Sequence, residues 1–136
     1  MTPSITGLCT LIQVYDMDEA VAFYRDYLDF EIAQQSPLLE RPYRHFNWAL
    51  LRCGPVQLML NTAYEAGDRP AARDASRQAA HGDTILYFDC PDVDRAYTAL
   101  RAAGLGASPP TIAPYGMKQL SFTDPDGYVI CLQWPV

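Results

Sequence analysis

The sequence predicts an α+β fold made of two tandem β-α-β-β-β modules. Three observations carry this expectation. The segment DMDEAVAFYR (16–25) superposes on DVDRAYTALR (92–101) at an offset of 76, with Asp, Asp, Ala and Arg identical at four of ten positions. At an offset of 72, Leu58-Met59-Leu60 superposes on Ile130-Cys131-Leu132. Around both matches the order of apolar, β-prone runs and turn residues is the same, which is the signature of an internal duplication rather than of two unrelated helices.

The elements follow in order. Residues 5–15 (ITGLCTLIQVY) are apolar and β-prone without a helical period, and predict a strand. Asp16 ends it and opens a helix. Met17, Ala20, Val21, Tyr24, Tyr27 and Leu28 recur on one helical face. Asp16 with Glu19 three residues on resembles a capping box, and both carboxylates suit the positive helix start. Strands are expected at about 30–35, 43–52 and 55–61, the last two joined as a hairpin at Cys53-Gly54-Pro55. In the second half a strand at 84–90 leads to a helix capped by Asp92, whose apolar face is Val93, Ala96, Tyr97, Leu100 and Ala103, with Gly104 placed to end it. A weak strand near 106–112, a firmer one near 116–123 and a last one at 128–134 complete the repeat. The turn Asp124-Pro125-Asp126-Gly127 joins the last two, because Pro fixes φ and Gly accepts φ > 0.

Module 1 therefore spans about 5–61 and module 2 about 83–135, within a single domain covering 1–136. Between them, residues 62–82 form an Ala-rich, mixed-charge stretch in which 71–80 could form a short helix. Such a long connection reads as a linker, with a lid or a dimer arm as the alternatives.

At 136 residues the chain is long enough to bury a core as one domain. Its 10 Lys and Arg against 16 Asp and Glu give a net charge of −6 with no basic run. That argues against nucleic acid as a partner, since phosphate binding needs clustered cations. No apolar run approaches a membrane span, and no basic, apolar leader is visible. The expectation is a cytoplasmic protein with reduced thiols. The four cysteines, Cys9, Cys53, Cys90 and Cys131, contain no C-x-x-C pair.

These motifs resemble the vicinal oxygen chelate superfamily, the glyoxalase, bleomycin-resistance and extradiol-dioxygenase group. The resemblance is carried by Asp16, Asp18, Ala20, Phe23, Tyr24 and Leu28, by D-V-D-x-A at 92–96, and by Y-G-M-x-x-x-x-F-x-D-P-D-G at 115–127. It implies that each module is a curved half-barrel sheet and that two halves enclose a cleft. It also implies where metal-dependent members keep their ligands, on the first and last strands of each module. Those positions here are Cys9, Met59, Ile85 and Cys131. Ile85 has no lone pair, and no carboxylate, amide or imidazole is present, so the hard or borderline donors of divalent oxygen chemistry are missing. Two thiols and a thioether could suit a soft ion such as Cu(I), but as core hydrophobes they need no ion. The expectation is no metal and no cofactor. His45 falls in the third strand of module 1 and His81 in the 62–82 linker, both away from those positions.

Strand alternation puts Cys9, Leu11 and Gln13 on one face, with Ile85 and Tyr87 in the second module and Val129, Cys131 and Gln133 on the last strand. Pairing across the DPDG turn is expected to set Leu120 and Phe122 beside Cys131 and Val129, and Lys118 beside Gln133. The same pairing in module 1 sets Phe46 and Trp48 beside Asn61 and Met59, while a one-residue change would turn in His45 and Asn47 instead. The expected ligand-binding set is thus Cys9, Phe46, Trp48, Met59, Ile85, Tyr87, Leu120, Phe122 and Cys131. No catalytic residue is assigned.

The resemblance to the bleomycin-resistance branch implies a homodimer that sequesters a hydrophobic or aromatic small molecule in an apolar cleft without metal. The alternative is a lyase, isomerase or dioxygenase working through a degenerate metal or thiol site. A third reading is a dimeric interaction module.

Overall fold

A computed structural model describes residues 2–136. The chain divides between Arg69 and Pro70 into two compact units.

Unit 1 contains β1 (Thr10–Val14), α1 (Met17–Leu28), β2 (Glu31–Gln35), β3 (Trp48–Cys53) and β4 (Val56–Thr62). Its sheet has the order β1-β4-β3-β2, with β1 parallel to β4 and the other pairs antiparallel. Asp16 caps α1 as expected, its side chain accepting the Glu19 N–H at 3.1 Å. At the other end Asp29 adopts a left-handed conformation and its N–H closes on the Arg25 carbonyl. The apolar face of α1 supplies Met17, Ala20, Val21 and Tyr24, all buried. The helix packs on β4. Ile12, Val14, Ala49, Leu51, Leu58 and Leu60 share one face of the sheet by register and are all buried, forming the core of this unit.

Unit 2 repeats the plan with β5 (Ile85–Asp89), α3 (Val93–Ala102), β6 (Thr111–Ile112), β7 (Met117–Thr123) and β8 (Val129–Pro135), preceded by α2 (Ala75–His81). Its order, β5-β8-β7-β6, matches that of unit 1 strand for strand. Asp92 accepts the Arg95 N–H at 2.9 Å, as Asp16 does at the equivalent place. The duplication extends to register: Leu11 lies opposite Met59, and Tyr87 opposite Cys131, which are the same pairs displaced by 76 and 72.

Three strands are shorter than expected, the sixth covering only Thr111–Ile112 of the stretch near 106–112. The first begins only at Thr10, leaving 5–9 outside it. The third begins at Trp48 rather than near 43. There the chain forms a loop instead, closed by a Leu39–His45 bridge and by the Ser36 hydroxyl, which accepts the N–H groups of Asn47 and Trp48 at 3.1 Å. A local side chain has competed successfully for the ladder's donors.

The stretch 62–82 is partly helical. It carries a single 3₁₀ turn (Ala66–Asp68) and α2, whose N-cap Asp74 accepts from Ser76 and Arg77. Within unit 2, α2 rests on the DPDG turn: Gln78 Nε2 donates to the Pro125 carbonyl at 2.8 Å, and His81 Nδ1 to that of Asp126 at 2.7 Å.

Candidate functional site

Each sheet has a helix-covered face and an outward face, and the alternation of the strands decides which side chains reach the latter. In unit 1 the outward row runs Leu11 and Gln13 on β1, Met59 and Asn61 on β4, and Leu50 and Trp48 on β3. Cys9 lies one residue ahead of β1, outside the ladder. In unit 2 the row runs Ile85 and Tyr87 on β5, Val129, Cys131 and Gln133 on β8, and Ser121 and Gln119 on β7. Leu11, Ile85 and Tyr87 are 41%, 44% and 54% exposed, large apolar or aromatic groups left facing water. Amides sit among them. Asn61 Nδ2 donates to Gln13 Oε1 at 3.3 Å, and Gln119 Nε2 donates to Gln133 Oε1 at 2.9 Å and to the Tyr115 hydroxyl at 2.8 Å. Asn61 and Gln133 are equivalent under the repeat, so both faces carry a hydrogen-bonded amide pair at the same level.

This geometry corrects the expected cleft lining. Cys131 pairs with Ser121 rather than Leu120, and Val129 pairs with Thr123. Leu120 and Phe122 therefore point to the opposite face, toward α3, and are 1% and 9% exposed core residues. Lys118 likewise pairs with Trp134, not with Gln133. The cause is the turn: the Asp124 carboxylate accepts the N–H groups of both Asp126 and Tyr128, and the resulting five-residue loop 124–128 shifts the register by one. In unit 1 the register differs by two, which preserves the face. Trp48 sits beside Asn61, and Leu50 takes the place beside Met59 that was expected for Trp48. Phe46 lies ahead of β3, buried in the loop, and is not in the outward row.

Of the four positions that the resemblance marks for ligands, Met59, Ile85 and Cys131 fall on outward faces, and Cys9 lies just ahead of β1. Their chemistry does not fit an oxygen- or imidazole-ligated divalent metal, because a thioether, a sec-butyl group and two thiols offer no oxygen or ring-nitrogen donor. Met59 lies between Leu11 and Leu50, and Cys131, itself buried, between Tyr87 and Ser121, so no carboxylate, imidazole or second thiol faces either across the ladder. Among the described residues no three His, Cys, Asp or Glu side chains are grouped to hold a metal. Both histidines are engaged elsewhere. His45 Nδ1 donates to the Tyr43 carbonyl at 2.6 Å, and His81 stacks on Tyr128 with ring centroids 4.1 Å apart. The Cys53 and Cys90 thiols are pushed above their ordinary pKa, first by burial, which leaves little thiolate at neutral pH.

Unit 1 also holds a pocket of about 150 Å³, whose lining takes in Phe46 and the alternates His45 and Asn47 but otherwise has no counterpart in the expected set. It opens where β1 ends and α1 begins, and its lining includes Tyr15, Asp18, Tyr43, His45, Tyr64 and Arg69. The Arg69 guanidinium lies 5.0 Å from the Tyr15 ring centroid and 5.2 Å from that of Tyr43. These residues come from three separated segments. The sequence signal was the cluster of tyrosines flanking predicted elements, which strand alternation alone does not bring together.

Among the described residues no helix is long and apolar enough to cross a membrane. No curated protein matches the chain. Several solved structures resemble it over nearly its full length. A glyoxalase/bleomycin resistance protein/dioxygenase from Nocardioides is 21% identical with a TM-score of 0.72, covering 99% of this chain and 87% of its own. The antibiotic-binding protein TnmS3 from Streptomyces sp. CB03234 is 23% identical with a TM-score of 0.69, covering 99% of this chain and 100% of its own. A bleomycin-binding protein complexed with bleomycin is 18% identical with a TM-score of 0.67, covering 97% of this chain and 100% of its own. At these identities the likeness establishes the shared fold. Residues 8–132 match the family described as the Glyoxalase/Bleomycin resistance protein/Dioxygenase superfamily, and with the duplicated sheets this shows that the chain belongs to that superfamily.

Proposed function

We propose that the protein binds a hydrophobic or aromatic small molecule on its outward sheet faces, without a metal and as a homodimer. The observation that carries this reading is the composition of those faces: exposed apolar and aromatic side chains set among amide pairs. An exposed Tyr87 or Leu11 is a poor solution for a surface that meets only water, whereas apolar area with a few oriented polar groups is what a small-molecule site requires. The lining residues are Cys9, Trp48, Met59, Ile85, Tyr87 and Cys131; Leu120 and Phe122 belong to the core under α3, and Phe46 lines the pocket at the start of α1 instead. Two proteins of the same fold are described as binding bleomycin and an antibiotic, which supports the ligand class. The absence of hard donors at the inherited ligand positions sets this reading above a metal-dependent lyase, isomerase or dioxygenase.

A panel of planar aromatic and drug-like compounds, screened by thermal shift, is expected to contain members that raise Tm. Tyr87→Ala then weakens the best of them by about tenfold or more, the loss usual for an aromatic anchor at a binding surface. A panel that leaves Tm unmoved, or a Tyr87→Ala variant that binds unchanged, contradicts the assignment. The homodimer is expected to sediment as two chains per particle at micromolar concentration, and a monomer there contradicts that part of the proposal.

A further inference from the structure

The pocket at the start of α1 is distinct in chemistry from the outward face of the sheet. Its lining is charged as well as aromatic, with Asp16 and Asp18 balanced by Arg44 and Arg69. Arg69 makes its hydrogen bond to the Tyr15 carbonyl (3.4 Å) and its ion pair with Asp16 (3.6 Å) through the same nitrogen, Nη1. A guanidinium carries five donors in a planar fork, and its other edge suits a carboxylate. The two flanking tyrosine rings hold that fork in place. His45 donates from Nδ1 to the Tyr43 carbonyl, which makes Nε2 of the neutral ring an acceptor. Asp18, in the first turn of α1, places a second carboxylate on the rim.

The charges select the guest. A simple anion would meet Asp16 and Asp18, and a simple cation would meet Arg44 and Arg69. Arg44 is already paired with Glu40 and Asp16 with Arg69, each at 3.6 Å. A guest bearing both signs therefore meets Asp18 and the second edge of Arg69, and the tyrosines and His45 offer ring faces to an aromatic group. The volume of about 150 Å³ lies below the ~300–1,000 Å³ of drug-sized pockets, which limits the guest to a single ring. The geometry points to a second binding site in unit 1 for an aromatic amino acid, its carboxylate on Arg69 and its ammonium on Asp18. This site goes beyond the proposed function and does not depend on it.

The test is a titration of the full chain with phenylalanine, followed by amide chemical shifts. Phenylacetate and phenethylamine serve as arms that each lack one charge. Shifts are expected at Asn47, Tyr64 and Ala66 rather than at Met59 or Tyr87, which separates this site from the outward faces. Phenylalanine is expected to bind about tenfold more tightly than either arm, one charge-assisted hydrogen bond's worth of affinity. Asp18→Asn, at an exposed position, should abolish the advantage over phenylacetate, and Arg69→Gln the advantage over phenethylamine. Three results would overturn the proposal: no saturable shifts by about 10 mM, well above a millimolar Kd; either arm binding as tightly as phenylalanine; or both variants keeping the full preference. A spectrum unchanged outside the pocket verifies that each variant is folded.

Discussion

Replacing Tyr24 by alanine is expected to destabilise unit 1 by about 3–5 kcal/mol, the usual cost of truncating a buried aromatic ring. Tyr24 is 0% exposed at the centre of the buried face of α1. Its ring meets Phe23 edge-on at 5.3 Å and Phe30 at 5.9 Å, so truncation removes packing from both neighbours as well as its own buried area. Against a total stability of about 5–15 kcal/mol for a small domain, that loss is large enough to unfold a sizeable fraction of molecules on warming. Urea denaturation followed by circular dichroism measures it. The equivalent residue under the repeat is Leu100, also buried, and Leu100→Ala should cost less because fewer atoms leave the core. A Tyr24→Ala variant within about 0.5 kcal/mol of the parent, as at a surface position, contradicts the packing described.

The second large effect is expected at Gly127. Its φ is +88°, and an added Cβ would collide with the backbone carbonyl of Gln78 in α2. A side chain can swing away from such a clash, but a helix backbone cannot. Gly127→Ala must therefore strain the turn, displace α2, or both, with an expected cost of about 2–4 kcal/mol from backbone strain and overpacking together. Displacing α2 would also break the Gln78–Pro125 and His81–Asp126 bonds. Thermal unfolding gives the magnitude, and faster amide exchange in residues 75–81 identifies the element released. Gly67→Ala is the control, since nothing lies within 4 Å of its added Cβ and its φ is not in the positive range. It should change stability by less than about 0.5 kcal/mol. Equal effects at the two glycines would contradict the docking of α2 on the turn.

The fold was legible wherever local chemistry and periodicity agreed. Asp16 and Asp92 announced both helix starts, and the spacing of apolar residues after them gave the buried faces. The repeat offsets carried over into register, placing Leu11 opposite Met59 and Tyr87 opposite Cys131. What could not be read was set by side-chain to backbone bonds in the turns. Asp124 holds an odd-numbered loop that turns Leu120 and Phe122 inward, and nothing in the pattern of β7 distinguishes its two faces, because Lys118, Leu120 and Phe122 alternate as plausibly toward a cleft as toward a helix. Ser36 similarly converted the expected start of β3 into a loop. The charged pocket has no periodic signature for another reason: Tyr15 and Arg69 stand at the ends of elements and Tyr43 in the loop ahead of β3, and none of these follows a period.

Binding of an aromatic ligand without a metal is tested most directly by titrating the compound that raises Tm most in the screen, by calorimetry, with and without EDTA. One Kd, unchanged by the chelator, is expected, with binding weakened by about tenfold or more in Tyr87→Ala. Binding that disappears with EDTA and returns on adding a divalent cation would contradict it.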